Sequence, residues 1–133
     1  MTATIVYKGD LRTECQHLQS GTTILTDAPT DNHGKGEAFS PTDLVATALG
    51  SCMMSIMAIK SADLNVNLEN STVFVTKIMQ SDPRKIARIV VEINMAIAAD
   101  TKTKVILEKV AMNCPVLLSL HPDIEKEIIF KWK

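Results

Sequence analysis

The sequence carries almost no surplus charge: fourteen Lys and Arg stand against fifteen Asp and Glu, a formal balance of −1. Without an overall basic field, neither nucleic acid nor an anionic membrane surface is expected as a partner. Cysteine is scarce too. Three make an odd set without close pairs, which argues against a disulfide scaffold and against a zinc knuckle and leaves them as thiols of a cytoplasmic protein. The stretch Met1-Thr2-Ala3-Thr4-Ile5 has no basic segment followed by an apolar one, so no secretory signal is expected. No apolar run is long: Leu44 to Ile59 is about 16 residues interrupted by Thr47, Ser51 and Ser55, short of the ~20 needed to span a bilayer. It reads as a helix buried in a fold. There is no internal repeat and no low-complexity segment. What remains is 133 residues, 46% hydrophobic and 22% charged, enough for a packed core in a single domain spanning 1–133.

Residues Thr2 to Lys8 are rich in β-formers, and Gly9-Asp10 reads as a two-residue turn into a second strand, Leu11 to Leu18, setting Tyr7 opposite Arg12. Ser20-Gly21 turns the chain into a short third strand, Thr22 to Thr26. Asp27 to Phe39 has the composition of a functional loop. Ser40-Pro41-Thr42-Asp43 then supplies a capping hydroxyl, a proline at the first helical position and an acid at the third, so a helix starts here and runs to about Lys60. Its small or polar positions, Asp43, Thr47, Ser51 and Ser55, recur every four residues among apolar ones. A strand follows at Thr72 to Met79 and a turn at Ser81 to Arg84. The period of two through Ala87, Ile89, Val91, Ile93, Met95 and Ile97 marks a half-buried strand. Thr101 to Met112 predicts an amphipathic helix, Cys114-Pro115 opens a short one through Leu120, and Glu127 to Lys133 closes as a strand. The expected class is α+β, with about six antiparallel-type strands around a long buried central helix.

Chemistry centres on the cysteines. Cys52 lies mid-helix among Val45, Ala48, Leu49, Ile56 and Ile59, where a thiol commonly behaves as a small hydrophobe. Cys114, in Asn113-Cys114-Pro115, falls at a predicted helix start, where unpaired N–H groups favour a thiolate. Cys15 and His17 share a strand face, but zinc needs three or four ligands, and His33, His121, Cys52 and Cys114 complete no known spacing, so no metal is expected. Only three arginines occur, Arg12, Arg84 and Arg88; a single strand arginine is ordinarily a solvated charge. The acids Glu37 and Asp43 have plain roles available in the loop and the helix cap.

The segment from Gly36 through Ser40-Pro41-Thr42-Asp43-Leu44-Val45 to Gly50-Ser51-Cys52, with Asn113-Cys114-Pro115-Val116, resembles the OsmC/Ohr superfamily, and most of all its general OsmC-like branch. The two motifs match in order and separation, and the strand plan fits along essentially the whole chain. The resemblance implies an intertwined homodimer, with long helices wrapped by sheets from both chains. It also implies a two-cysteine thiol peroxidase that reduces organic hydroperoxides in oxidative or osmotic stress. Cys52 matches the cysteine that attacks peroxide, Cys114 the one that resolves it, and Arg12 the arginine that stabilises the thiolate. No bound cofactor is implied; a lipoyl-type or other small dithiol is the external reductant. Phe39, Leu49, Met53 and Ile56 are the candidate apolar walls for the organic group. One departure stands out: where the organic-hydroperoxide-resistance branch places a glutamate after the proline, this chain has Thr42, and Asp43 or Glu37 are the candidate substitutes.

The competing reading is a non-catalytic dimeric protein that binds a small apolar ligand, its cysteines serving only the core. Both readings require a dimer, because a largely apolar helix needs cover on all sides and 133 residues supply few elements to give it.

Overall fold

The computed structural model describes residues 1–133. Contacts gather the chain into two compact units, Met1–Val45 and Ala46–Lys133.

The first unit is an antiparallel sheet of β1 (Ala3–Gly9), β2 (Arg12–His17) and β3 (Thr23–Asp27), in that order. Both of its turns differ from the sequence expectation. Asp10 and Leu11, at φ 54 and 62, form the first tight turn, and Gly9, at φ 85, takes a bulge, so Arg12 pairs with Gly9 and Tyr7 with Thr13. Left-handed φ at both turn residues gives the twist that a two-residue hairpin needs, and glycine accommodates the bulge. The second turn spans four residues, Leu18 to Gly21, closed by Gly21 N–H donating to His17 O at 2.8 Å. That register places Arg12 directly opposite Asp27. The loop after β3 folds back on the sheet, with Ala28 N–H donating to Leu11 O at 3.0 Å and Asp27 N–H to Phe39 O at 3.1 Å.

Helix α1 (Pro41–Asp63) begins where the capping residues predict. Ser40 Oγ accepts from Asp43 N–H at 3.0 Å and Asp43 Oδ2 accepts from Ser40 N–H at 2.9 Å, a reciprocal capping box with Asp in the place of Glu. At 23 residues the helix is long and apolar enough to cross a bilayer by length and composition, which corrects the shorter apolar count. It is not buried all round. One stripe, Ala46, Leu49, Gly50, Met53, Met57 and Ser61, is buried, while Ser51, Ser55 and Ile59 are exposed, as residues 3.6 per turn apart require.

The buried stripe meets the second sheet, formed by β4 (Thr72–Gln80), β5 (Lys85–Asn94) and β6 (Glu125–Lys131). Gly50 allows the approach: a Cβ there would lie 2.7 Å from Val75 Cγ2 and 3.0 Å from Val73 Cγ1. Ile89, Val91 and Ile93 alternate inward along β5, and Leu107 and Ala111 of α2 (Thr101–Ala111) complete the core. Burying a side chain the size of Leu49, Met53 or Met57 stabilises the fold by about 1.5–3 kcal/mol. β4 and β5 are antiparallel, but β6 runs parallel to β5, a correction to the all-antiparallel expectation. The connection over 95–124, carrying α2 and α3 (Pro115–Ser119), is long enough for the crossover that a parallel pair demands.

Candidate functional site

Two clusters carry the chemistry, one in each unit. In the second unit, Cys52 lies in the middle of α1 beside the buried stripe residue Met53, half-buried and packed against the core. Cys114 is the N-cap of α3, with extended backbone (φ −67, ψ 145), and Pro115 takes the next position. Its side chain is wholly buried, and its Sγ accepts from Leu117 N–H at 3.3 Å. Cys52 lies within hydrogen-bonding reach of Cys114, so residues 62 positions apart in sequence are brought together as two free thiols.

A helix start alone favours a thiolate at Cys114, and in the structure burial outweighs it. Burial pushes the Cys114 thiol up, the Leu117 N–H only partly offsets that, and the neighbouring Cys52 sulfur raises it further. A five-residue helix with its cap in an apolar setting supplies too little dipole to overcome desolvation. Cys114 is therefore held as a neutral thiol. Side by side, the pair can lose two electrons and two protons to form a disulfide.

In the first unit, Arg12 makes a two-pronged bond to Asp27, Nε to Oδ1 at 2.7 Å and Nη2 to Oδ2 at 2.8 Å. Glu37 adds its Oε2 at 3.5 Å from the same Nη2, and its backbone N–H donates to Asp27 Oδ2 at 3.1 Å. Asp27 is 1% exposed, against 29% for the Arg12 side chain and 66% for Glu37. The hydrogen bonds from Arg12 hold the Asp27 carboxyl below its ordinary range, and Asp27 in turn raises the guanidinium. The loop that carries Glu37 is tightly wound: a Cβ on Gly34 would fall 1.6 Å from the Ala28 carbonyl oxygen, so only glycine fits.

Of the expected supporting acids, Glu37 is thus a second, longer partner of Arg12, while Asp43 closes the helix cap. Asp27 was missed. Its signal was the strand register, which a two-residue turn at Ser20-Gly21 would have shifted by two positions. Among the expected substrate walls, Leu49 and Met53 are fully buried in the core. Ile56 is half-buried and Phe39 is 53% exposed. A cavity of about 510 Å³ lies elsewhere, between the C-terminal half of α1 (Met54, Ala58, Ser61) and the segment through Leu68, Glu69 and Ser71. Cys15 sits mid-β2, opposite Ile5 and Ile24, and His17 Nδ1 contacts Ser20 Oγ at 2.6 Å. No three His, Cys, Asp or Glu side chains gather as metal ligands.

Comparison with known proteins places these features. The profile of the OsmC family, described as OsmC-like protein, matches residues 34–128. A Psychrobacter arcticus 273-4 protein, provisionally described as an osmotic stress induced and detoxification response protein, is 48% identical over 98% of this chain and 95% of its own, with a TM-score of 0.95. An organic hydroperoxide resistance protein OsmC from Legionella pneumophila shares the fold at 13% identity and a TM-score of 0.76, covering 98% of this chain and 97% of its own. So does an organic hydroperoxide resistance protein from Elizabethkingia anophelis, also at 13% identity and 0.76, over 100% of this chain and 97% of that one. No curated protein sequence matches the chain.

Proposed function

The chain belongs to the OsmC-like family, and from that premise we propose that it is a two-cysteine thiol peroxidase reducing organic hydroperoxides. The adjacency of Cys52 and Cys114 carries this reading. Some relatives in fold bear the name organic hydroperoxide resistance protein, and the 48% identical one is associated with osmotic stress and detoxification.

In the proposed cycle the Cys52 thiolate attacks the terminal oxygen of ROOH. The O–O bond breaks, the departing alkoxide takes a proton and leaves as alcohol, and Cys52 becomes a sulfenic acid. The Cys114 sulfur then attacks the Cys52 sulfur. Hydroxide leaves, combines with the proton released by the Cys114 thiol to form water, and a Cys52–Cys114 disulfide closes. An external dithiol, lipoyl-type or another small thiol, supplies two electrons and two protons to reopen it. The neutral state of Cys114 suits the second role: it holds its proton until Cys52 is oxidised. Arg12 is proposed to stabilise the Cys52 thiolate, as a guanidinium offsets the cost of ionising a partly desolvated sulfur. Phe39 and Ile56 remain as apolar candidates for the organic group.

The acting species is proposed to be a cytoplasmic homodimer. Ile5 (67% exposed), Tyr7 (64%) and Ile24 (48%) share one face of the first sheet, and apolar surface of this kind marks an interface.

The test is steady reduction of cumene hydroperoxide by a dithiol. Cys52→Ser is expected to abolish it, and hydrogen peroxide to react more slowly than the alkyl hydroperoxide. Wild-type turnover by Cys52→Ser would refute the peroxidase and favour the ligand-binding reading.

A further inference from the structure

We propose that α3 is a redox-sensitive latch, held by the Cys114 sulfur while that sulfur is a thiol and released when it joins Cys52 in a disulfide; this rests on the peroxidase reading, which supplies the disulfide. One atom of Cys114 serves two partners. As the N-cap of α3 it accepts from Leu117 N–H at 3.3 Å, and it also lies within reach of the Cys52 sulfur. Little else holds the helix. Its five residues include none that is fully buried, Val116 and Leu117 meeting the core only in part, and beyond the cap its first turn is closed by Leu118 N–H donating to Cys114 O at 3.1 Å. A helix this short has no stability of its own to spare, so the loss of one cap weighs heavily.

Oxidation makes the two partners incompatible. Two electrons and two protons pass from the thiols to the hydroperoxide, which leaves as alcohol and water, and the sulfur–sulfur bond that forms is shorter than any contact between two thiols. One sulfur must therefore move. Cys52 is held in the middle of the 23-residue α1, beside Met53 and one turn from Leu49, both fully buried in the core. Cys114 instead starts a five-residue helix directly after a turn at Met112 and Asn113. It is the sulfur that yields, and its shift takes the acceptor away from Leu117 N–H. Cys114 is wholly buried while the latch is closed, and release of α3 opens a path for the external dithiol to the disulfide.

Amide hydrogen exchange read by NMR on the full chain tests this, before and after one equivalent of cumene hydroperoxide, with disulfide formation followed by intact mass. Protection of the Leu117 N–H is expected to fall about fivefold in the disulfide form and to return on reduction, while that of Leu107 in α2 stays constant. A disulfide form with unchanged Leu117 protection overturns the latch, and so does a fall shared by Leu107, which marks general loosening. Cys114→Ala gives a second readout: it should show the lowered Leu117 protection without any oxidant, and wild-type protection in that variant overturns the sulfur as the holder. Should Cys114→Ala fail to fold, the comparison of reduced and oxidised wild type decides alone. Hydroperoxide that leaves both thiols free sinks the peroxidase reading and the latch with it, whereas a disulfide without loosening sinks the latch alone, so the two failures are distinguishable.

Discussion

Cys114 shows how two elementary effects compete at one atom. A helix N-terminus favours a thiolate and burial disfavours it; here the sulfur is wholly buried on a five-residue helix, and burial wins. Helix position is visible in a sequence and burial is not, so the outcome of that competition at Cys114 is legible only in the fold. Replacing Cys114 by Ser should leave Cys52 able to react with one equivalent of hydroperoxide but unable to condense. Its sulfenic acid should then persist and be trapped by dimedone, as read by intact mass. Asp27 makes a separate prediction. Its carboxyl is held below the ordinary 3.8 by Arg12, so the stability it contributes is complete above that value and lost as pH falls through its folded-state value. The urea midpoint should decline from about pH 5 toward pH 2, with a shallower decline in Asp27→Asn. Asp27 escaped the sequence reading because a cross-strand partner depends on turn length, and the β2–β3 turn holds four residues instead of two.

At the scale of elements, α1 was the most legible part. Its start follows from Ser40-Pro41-Thr42-Asp43, and its polar positions every fourth residue mark the side away from the sheet. β5 was legible as alternation, but a bulge opposite Ile78 and Met79 shifts its first residues, so Ile86 is buried and Ala87 only half-buried. Strand direction was not legible: nothing local in Glu125–Lys131 says that it pairs parallel to β5. The packing of α1 on this sheet depends on Gly50. Gly50→Ala gains about 1 kcal/mol of helix propensity but forces a methyl against Val75 and Val73, an overpacking that costs about 1–3 kcal/mol. A net loss of about 1 kcal/mol, measured from the denaturant midpoint, is expected. A gain in stability would mean that the helix can withdraw from the sheet at no cost.

For the molecule as a whole, the distribution of the core is the main observation. Every buried hydrophobic side chain lies at or beyond Ala46, while the buried residues of the first unit are Thr26, Asp27 and Ser40. A three-stranded sheet without an apolar core of its own needs cover for its hydrophobic face. A second copy of the chain is the proposed cover, and light scattering at micromolar concentration should give twice the chain mass of 14.6 kDa. A monomer would remove that explanation for exposed Ile5, Tyr7 and Ile24. The central claim, that Cys52 and Cys114 act as one redox pair, is tested most directly by peptide mapping after one equivalent of organic hydroperoxide. The account predicts a single Cys52–Cys114 disulfide with Cys15 still open to alkylation; hydroperoxide consumed with Cys52 and Cys114 both still free would contradict it.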